Sequence, residues 1–151
     1  TLALMLSHPD QWQAFCRDPD GLKRLVVQEG LRYEPAVGSF ARVTIKDVEL
    51  DGLVLPAGSP VSICLLSAMR DERVYADPFT FDMFRTDHPR WHPAFGTGAH
   101  RCLGEALARA ELEECLAAIA RRAPDTRLVR APIVRGLNGI RRIDQMHVAF
   151  G

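Results

Sequence analysis

Apolar side chains recur at helical spacing in several stretches of the chain, and this pattern predicts its helices. Residues 1–7 have the pattern of a helix end, and residues 10–17 that of a short helix. A loop at 18–21 precedes a helix over 22–33, and a further helix is predicted over 103–122. The apolar positions of these last two helices are Leu22, Leu25, Val26 and Leu31, then Leu103, Ala106, Leu107, Ala110, Cys115, Leu116 and Ile119.

The remaining apolar runs are short and bounded by turn residues, which predicts strands. We place them at residues 38–43, 45–50, 53–55, 61–66, 127–134 and 145–150. Asp51-Gly52 is a strong two-residue hairpin signal, and a second tight turn follows at 56–60. We therefore expect the three strands flanking these two turns to form one small antiparallel sheet. The predicted fold class is α+β, mainly helical with small antiparallel sheets.

Composition narrows the class of protein. The 151 residues are 47% hydrophobic and 25% charged, with 19 basic and 19 acidic side chains. This balance argues against a general nucleic-acid-binding surface, and no apolar run is long enough to span a bilayer. The cysteines show no paired spacing, so a reducing cytoplasm is the simplest compartment. They are Cys16, Cys64, Cys102 and Cys115.

The most informative stretch is Phe-Gly-Thr-Gly-Ala-His-Arg-Cys-Leu-Gly, residues 95–104. Gly96 and Gly98 allow positive φ values and a close approach of the backbone to a flat ligand. Cys102 precedes a predicted helix, where unpaired N–H groups and the helix dipole favour a thiolate. A lone thiolate suits an axial metal ligand better than a tetrahedral zinc site, although spacing alone does not name the metal. The alternative is a structural cysteine beside a chance glycine-rich turn.

This motif, followed by Leu-Ala-Arg-x-Glu at residues 107–111, resembles the cysteine-ligand loop of the haem-thiolate monooxygenases, the cytochromes P-450. The resemblance runs nearly end to end and covers the C-terminal, haem-proximal part of a soluble, bacterial-type member. It implies that the chain is a piece of one longer domain. It also implies haem b as the cofactor and Cys102 as its iron ligand. Phe95, Gly96 and Gly104 would belong to the same binding loop.

The resemblance also assigns roles to residues outside the cysteine. His100 matches a position that binds a haem propionate, and Arg42 matches a second propionate-binding arginine. A solvent-exposed strand arginine is the alternative for Arg42. His92 is expected to be structural. Leu137 and Asn138 are weak candidates for substrate contact. Arg141 and Arg142 are expected in a solvated turn.

Glu29 and Arg32 form an i,i+3 pair of opposite charge, which on its own is most simply a solvated surface ion pair. At this distance upstream of the cysteine loop, the pair resembles the family's Glu-x-x-Arg motif. The resemblance then implies a buried network whose third member is Arg85. Met69 departs from the family pattern, in which asparagine is usual, but it leaves Arg70, Asp71 and Arg85 in register.

The function implied is insertion of one oxygen atom of O₂ into a small organic substrate. A ferredoxin-type or flavin-containing donor would supply the electrons, and Arg101 lies where an acidic carrier could dock. Two alternatives stay open at this point. One is a peroxide-using peroxygenase on the same scaffold, and the other is a non-catalytic, truncated haem-binding remnant. The segments that would distinguish them are expected upstream of Thr1.

Overall fold

The computed structural model of the chain describes residues 1–89, 93–136 and 139–151. The expectations for His92, Leu137 and Asn138 therefore lie outside the described residues. The helices are α1 (Leu2–Ser7), α2 (Pro9–Arg17), α3 (Pro19–Tyr33), α4 (Leu65–Ala68) and α5 (Glu105–Arg122). The strands are β1 (Ser39–Val43), β2 (Val48–Leu50), β3 (Leu53–Leu55), β4 (Pro60–Cys64), β5 (Arg127–Arg135) and β6 (Arg142–Ala149). The mixed α+β class predicted from the sequence is confirmed.

Helix α3 begins earlier than the apolar pattern predicted. The side chain of Asp18 accepts a hydrogen bond from the backbone N–H of Gly21 at 3.0 Å, and Pro19 occupies the first helical turn. An acidic N-cap followed by proline is a strong start signal, so the loop predicted at 18–21 was wrong. The extra turn matters for the site because α3 carries Glu29 and Arg32.

The core forms where α3 packs on α2 and α5. Val26 and Val27 of α3 are fully buried, as is Phe15 of α2. On α5 the buried residues are Leu116, Ala117 and Ala120, all in its C-terminal half. Burying such side chains contributes about 1.5–3 kcal/mol for each large aliphatic or aromatic residue.

The face predicted for α5 was partly wrong. The helix begins at Glu105, and Leu103 and Leu107 are 102% and 64% exposed. Cys115 is exposed as well. Alanines lie on several faces of this helix, so the sequence pattern does not define one apolar face. Packing against the other helices determines which side is buried.

The strands pair differently from the expected single sheet. Within the described residues they form three two-stranded antiparallel sheets, β1–β4, β2–β3 and β5–β6. Strand β4 pairs with β1, with Arg42 opposite Val61, and not with the hairpin that precedes it. It ends at Cys64, and α4 begins at the next residue, Leu65, so the apolar run at 61–66 is not one strand. The hairpin itself is as predicted, because Asp51 and Gly52 both have positive φ, at 47° and 79°.

The loop between β5 and β6 packs against the segment after α3. Gly38 N–H donates to Gly139 C=O at 2.8 Å, and Arg141 N–H donates to Ala36 C=O at 2.7 Å. The Arg141 side chain is 13% exposed and forms an ion pair with Glu34. The expected solvated turn was therefore wrong for Arg141, whereas Arg142 is exposed and bonds Asp144. No helix in the described ranges is long and apolar enough to cross a membrane.

Candidate functional site

The cysteine loop is a compact turn held by its own backbone. Short 3₁₀ turns occupy Pro93–Phe95 and Gly98–His100, and Gly96 and Gly98 take positive φ values of 75° and 74°. The N–H of Cys102 donates to the carbonyl of Phe95 at 2.9 Å, which closes the loop. Both glycines therefore adopt a conformation that other residues reach only with strain.

Cys102 lies at the end of this loop, and Leu103 and Gly104 separate it from the first residue of α5. The cysteine is free and exposed. Gly104 is the N-cap residue of α5, and a Cβ atom there would lie 3.9 Å from the Cys102 Sγ atom. The sulfur therefore sits close to the backbone at the positive end of the helix dipole, where negative charge is favoured.

The surroundings of Cys102 fit a flat, mostly apolar ligand. A Cβ atom at Gly98 would meet nothing within 4 Å, and one at Gly96 would meet only the Phe40 ring, at 3.7 Å. Leu103 and Leu107 expose apolar side chains nearby in sequence. No group of three or more His, Cys, Asp or Glu residues among the described residues could hold a metal ion. The donor set is thus a single cysteine sulfur beside open glycine backbone, which suits the haem implied by the resemblance.

Arg42 lies on β1, next to the cysteine loop. Its guanidinium is 5.4 Å from the centroid of the Phe40 ring, and its Nη1 donates to the Ala41 carbonyl at 2.8 Å. The same Phe40 ring is the nearest neighbour of Gly96, so β1 and the loop are adjacent. Arg42 and His100 are both exposed, and each has donors suited to a carboxylate. Their role toward haem propionates stays a prediction.

Ion pairs among Arg101, Glu105 and Arg109 connect the cysteine loop to α5, and we call them the Glu105 ladder. The sequence analysis did not predict these ion pairs. Glu105 accepts from Arg101 Nε at 2.7 Å and from Arg109 Nε at 3.0 Å. The Arg109 guanidinium lies 5.2 Å from the centroid of the Phe95 ring. Partial burial acts to raise the pKa of Glu105, but the hydrogen bonds from Arg109 and Arg101 outweigh it and lower that pKa. The i,i+4 spacing of the three residues was the available signal.

Glu29 and Arg32 meet in the interior of the protein. Both side chains are 0% exposed, and Arg32 donates through Nε and Nη2 to the two Glu29 oxygens at 2.7 Å each. The other Arg32 donors reach backbone carbonyls of Met69 at 2.9 Å, Pro78 at 2.8 Å and Thr80 at 3.0 Å. This pair therefore holds the segment after α4 against α3.

Arg85 approaches the same carboxylate. Its Nε is 3.5 Å from Glu29 Oε2, and its side chain is 6% exposed. Arg85 also donates to Asp87 at 3.0 Å and to the Thr80 carbonyl at 3.2 Å. The structure thus brings together the three residues that the resemblance grouped.

His88 is a buried neighbour of this cluster that sequence reasoning did not single out. Its Nε2 is 3.4 Å from Glu29 Oε2, and its side chain is 8% exposed. Burial lowers the pKa of His88 from its ordinary value, and Arg32 and Arg85 act in the same direction. Burial also raises the pKa of Tyr75, whose ring lies against the imidazole. In the sequence, the one signal that His88 lies near this cluster is its position three residues after Arg85.

Comparison with known proteins gives one consistent family. The family model for cytochrome P450 matches residues 22–122. The plant-inducible cytochrome P450-pinF1 of Rhizobium radiobacter is 47% identical over 147 residues, which is 97% of this chain and 34% of that protein. Nocardicin C N-oxygenase of Nocardia uniformis subsp. tsuyamanensis is 42% identical over 131 residues, 85% of this chain and 32% of that protein.

A solved structure agrees with these relatives. P450BioI, crystallised with an acyl carrier protein carrying hexadec-9Z-enoic acid, matches with a TM-score of 0.92 and 33% identity. The match covers 99% of this chain and 38% of that one. The chain thus spans about a third of the length of the curated relatives it matches.

Proposed function

Because this chain belongs to the cytochrome P450 family, we propose that the protein is a haem-thiolate monooxygenase. Such an enzyme inserts one oxygen atom of O₂ into an organic substrate and receives its electrons from a redox partner. The observation that supports this function most directly is the exposed Cys102 thiol, held between a glycine-rich turn and the start of α5. An oxygenase, nocardicin C N-oxygenase, stands among the relatives.

The proposed cofactor is haem b, with Cys102 as its iron ligand. When bound, it supplies the oxygen chemistry, and electron density from the cysteine sulfur favours cleavage of the O–O bond. The residues of this chain bind and orient the group. The carbonyl of Phe95 fixes the Cys102 backbone, and N–H groups near Gly104 would tune the sulfur by hydrogen bonding.

Three further features suit the edges and face of a haem. His100 and Arg42 carry donors for its two propionates, and charge-assisted hydrogen bonds of this kind are among the stronger ones. The apolar side chains of Leu103 and Leu107 would exclude water from the ligand. A water-poor site strengthens the electrostatic interactions within it.

The proposed partners are a small organic substrate and an electron donor of the ferredoxin or flavin type. Arg101 is adjacent to Cys102 and is held by Glu105, which places a guanidinium beside the ligand loop for an acidic carrier. P450BioI is complexed with an acyl carrier protein, but the chemistry of this chain's own substrate is left open. The cytoplasmic location stays a prediction based on the cysteine pattern.

The test is Cys102→Ser in the full-length protein as its gene encodes it. We expect this variant to lose the red-shifted absorption band of the reduced carbon-monoxide adduct, because a serine oxygen replaces the thiolate. Cys115→Ser is the matched control, since Cys115 is also an exposed cysteine of the chain but lies within α5. Retention of the band by Cys102→Ser would contradict the ligand assignment.

A second arm of the experiment separates the two catalytic schemes. The wild-type enzyme is supplied either with O₂ and an electron donor or with hydrogen peroxide alone. A monooxygenase should turn over substrate efficiently under the first condition. Turnover that requires hydrogen peroxide and is not supported by O₂ with the electron donor would favour the peroxygenase.

A further inference from the structure

The turn between β5 and β6 is joined to the segment that leads from α3 to β1. Residues 36–38 run antiparallel to residues 139–141, with Val37 opposite Ile140. Backbone hydrogen bonds of 2.8 Å and 2.7 Å link the two stretches. They lie far apart in the sequence, so this contact fixes the end of the β5–β6 hairpin against the segment after α3.

The side chain of Arg141 extends this contact to the end of α3. Its guanidinium forms an ion pair with Glu34, the C-cap residue of α3, and the two side chains are 13% and 32% exposed. Arg70 lies 3.8 Å from the other Glu34 oxygen and is the more distant of the two partners. An ion pair that is largely shielded from solvent is screened less than an exposed one. Arg141 therefore holds the hairpin to the end of α3 as well as to residues 36–38.

The same segment continues into β1, whose second residue, Phe40, contacts the cysteine loop. A Cβ atom placed on Gly96 would lie 3.7 Å and 3.8 Å from two atoms of the Phe40 ring, and Gly96 is buried. The carbonyl of Gly38 accepts from the Leu65 N–H at 2.9 Å, which anchors the segment where β1 begins. Between the end of α3 and this anchor, the segment is held by Arg141 and by the backbone bonds to the turn.

We infer that Arg141 is a positioning residue for the cysteine loop. Its ion pair with Glu34 fixes the segment before β1, and this segment sets the position of Phe40, which supports the buried backbone of Gly96. Cys102 belongs to the same closed loop, so the position of its sulfur follows. The inference deepens the proposed function, but only the second measurement below rests on haem ligation by Cys102.

The first measurement is backbone hydrogen exchange in the full-length protein, for the wild type and for Arg141→Met. Methionine keeps a long unbranched side chain but removes the charge that pairs with Glu34. We expect the peptides spanning residues 34–43 and 93–104 to open about two- to tenfold more often. The peptide spanning residues 112–122, which carries the buried part of α5, should exchange as in the wild type.

Two further variants separate the ion pair from other effects of substitution. Arg141→Lys should restore slow exchange, because an ammonium can still pair with Glu34. The Nε atom that lysine lacks is buried and has no hydrogen-bond acceptor among the described residues. Arg142→Met is the matched control, since Arg142 is the next residue but is 74% exposed and pairs with Asp144. This control should leave exchange in both peptides unchanged.

The second measurement follows the cysteine sulfur itself. The reduced carbon-monoxide adduct of each full-length variant is incubated, and the loss of its red-shifted absorption band is recorded with time. We expect Arg141→Met to lose the band about two- to tenfold faster than the wild type, because its cysteine loop opens more often. Arg141→Lys and Arg142→Met should lose it at the wild-type rate.

Wild-type exchange at residues 93–104 in Arg141→Met would overturn the inference, and so would an unchanged rate of band loss. An equal rise at residues 112–122 would overturn it as well, because Arg141 would then support the fold in general. If Arg141→Met gives no soluble protein, Glu34→Gln tests the same ion pair from α3 with the same expected results. Absence of the band from the wild type would instead contradict the proposed haem ligation, and the exchange data would still decide the role of Arg141.

Discussion

At the scale of single residues, the burial of Arg32 is explained by its hydrogen bonds. A guanidinium has five N–H donors. In this protein the five bonds run to the two Glu29 oxygens and to the carbonyls of Met69, Pro78 and Thr80. A buried charge with every donor satisfied is tolerated, whereas removal of one partner leaves the other charge uncompensated.

Arg32→Ala should therefore destabilise the protein severely. We expect a loss of about 3–5 kcal/mol, a large share of the stability of a domain, and insoluble or haem-free protein as the result. Chemical denaturation and haem content measure the effect.

Arg73→Ala is the control for Arg32→Ala. Arg73 forms an ion pair with Asp71 at 2.5 Å and lowers the Asp71 pKa to about 2, but its side chain is 88% exposed. Solvent screens such a pair, so its removal should change stability little. Normal folding and haem incorporation by Arg32→Ala would show that the buried pair is dispensable.

The sequence shows the Glu29 and Arg32 pair but not its surroundings. An i,i+3 spacing predicts only that two side chains meet on one helix face. The carbonyls that complete the site come from residues 37, 46 and 48 positions away from Arg32. Those contacts depend on how the segment after α4 folds back, which no local pattern encodes.

At the scale of secondary-structure elements, the sequence predictions are correct where neighbouring residues alone determine the backbone conformation. The Asp51-Gly52 turn is one example, and the positive φ values at Gly96 and Gly98 are another. The pairing of β4 with β1 was missed because it joins segments separated by the whole β2–β3 hairpin. The Glu105 ladder was missed for a different reason, since i,i+4 pairs on helices are common and most contribute little.

Removal of the Glu105 carboxylate should loosen the cysteine loop. Glu105→Ala removes the carboxylate that accepts from Arg101 and Arg109, and Arg109 then covers the Phe95 ring less tightly. Two partly exposed pairs contribute about 0.2–1 kcal/mol each, so we expect the loop to open about two- to thirtyfold more often. Backbone hydrogen exchange of the peptide spanning residues 93–104 measures this opening.

The control for Glu105→Ala lies on the same helix. Glu113 pairs with Arg24 at 3.9 Å, away from the loop, so Glu113→Ala should leave exchange at 93–104 unchanged. Equal exchange in Glu105→Ala and the wild type would show that the backbone bonds of the loop suffice. In that case the hydrogen bond from the Cys102 N–H to the Phe95 carbonyl would be the main interaction that keeps the loop closed.

At the scale of the whole molecule, the buried and exposed apolar residues separate into two regions. The α2, α3 and α5 helices bury a contiguous core. By contrast, the β2–β3 hairpin has an apolar face whose residues pair as Val48 with Leu55 and Leu50 with Leu53. Leu50 and Leu53 are 59% and 61% exposed. Contiguous exposed apolar surface of this kind promotes association.

We expect the purified 151-residue chain to self-associate with increasing concentration through this face. The double variant Leu50→Lys, Leu53→Glu should reduce association, because it replaces the apolar cross-strand pair by opposite charges that still favour the hairpin. Size-exclusion chromatography with light scattering gives the mass distribution at several concentrations. Glu49→Gln changes the opposite face of β2 and should leave association as in the wild type. If the double variant associates as strongly as the wild type, the contact surface lies elsewhere, and the exposed Leu103 and Leu107 beside Cys102 are the next residues to substitute.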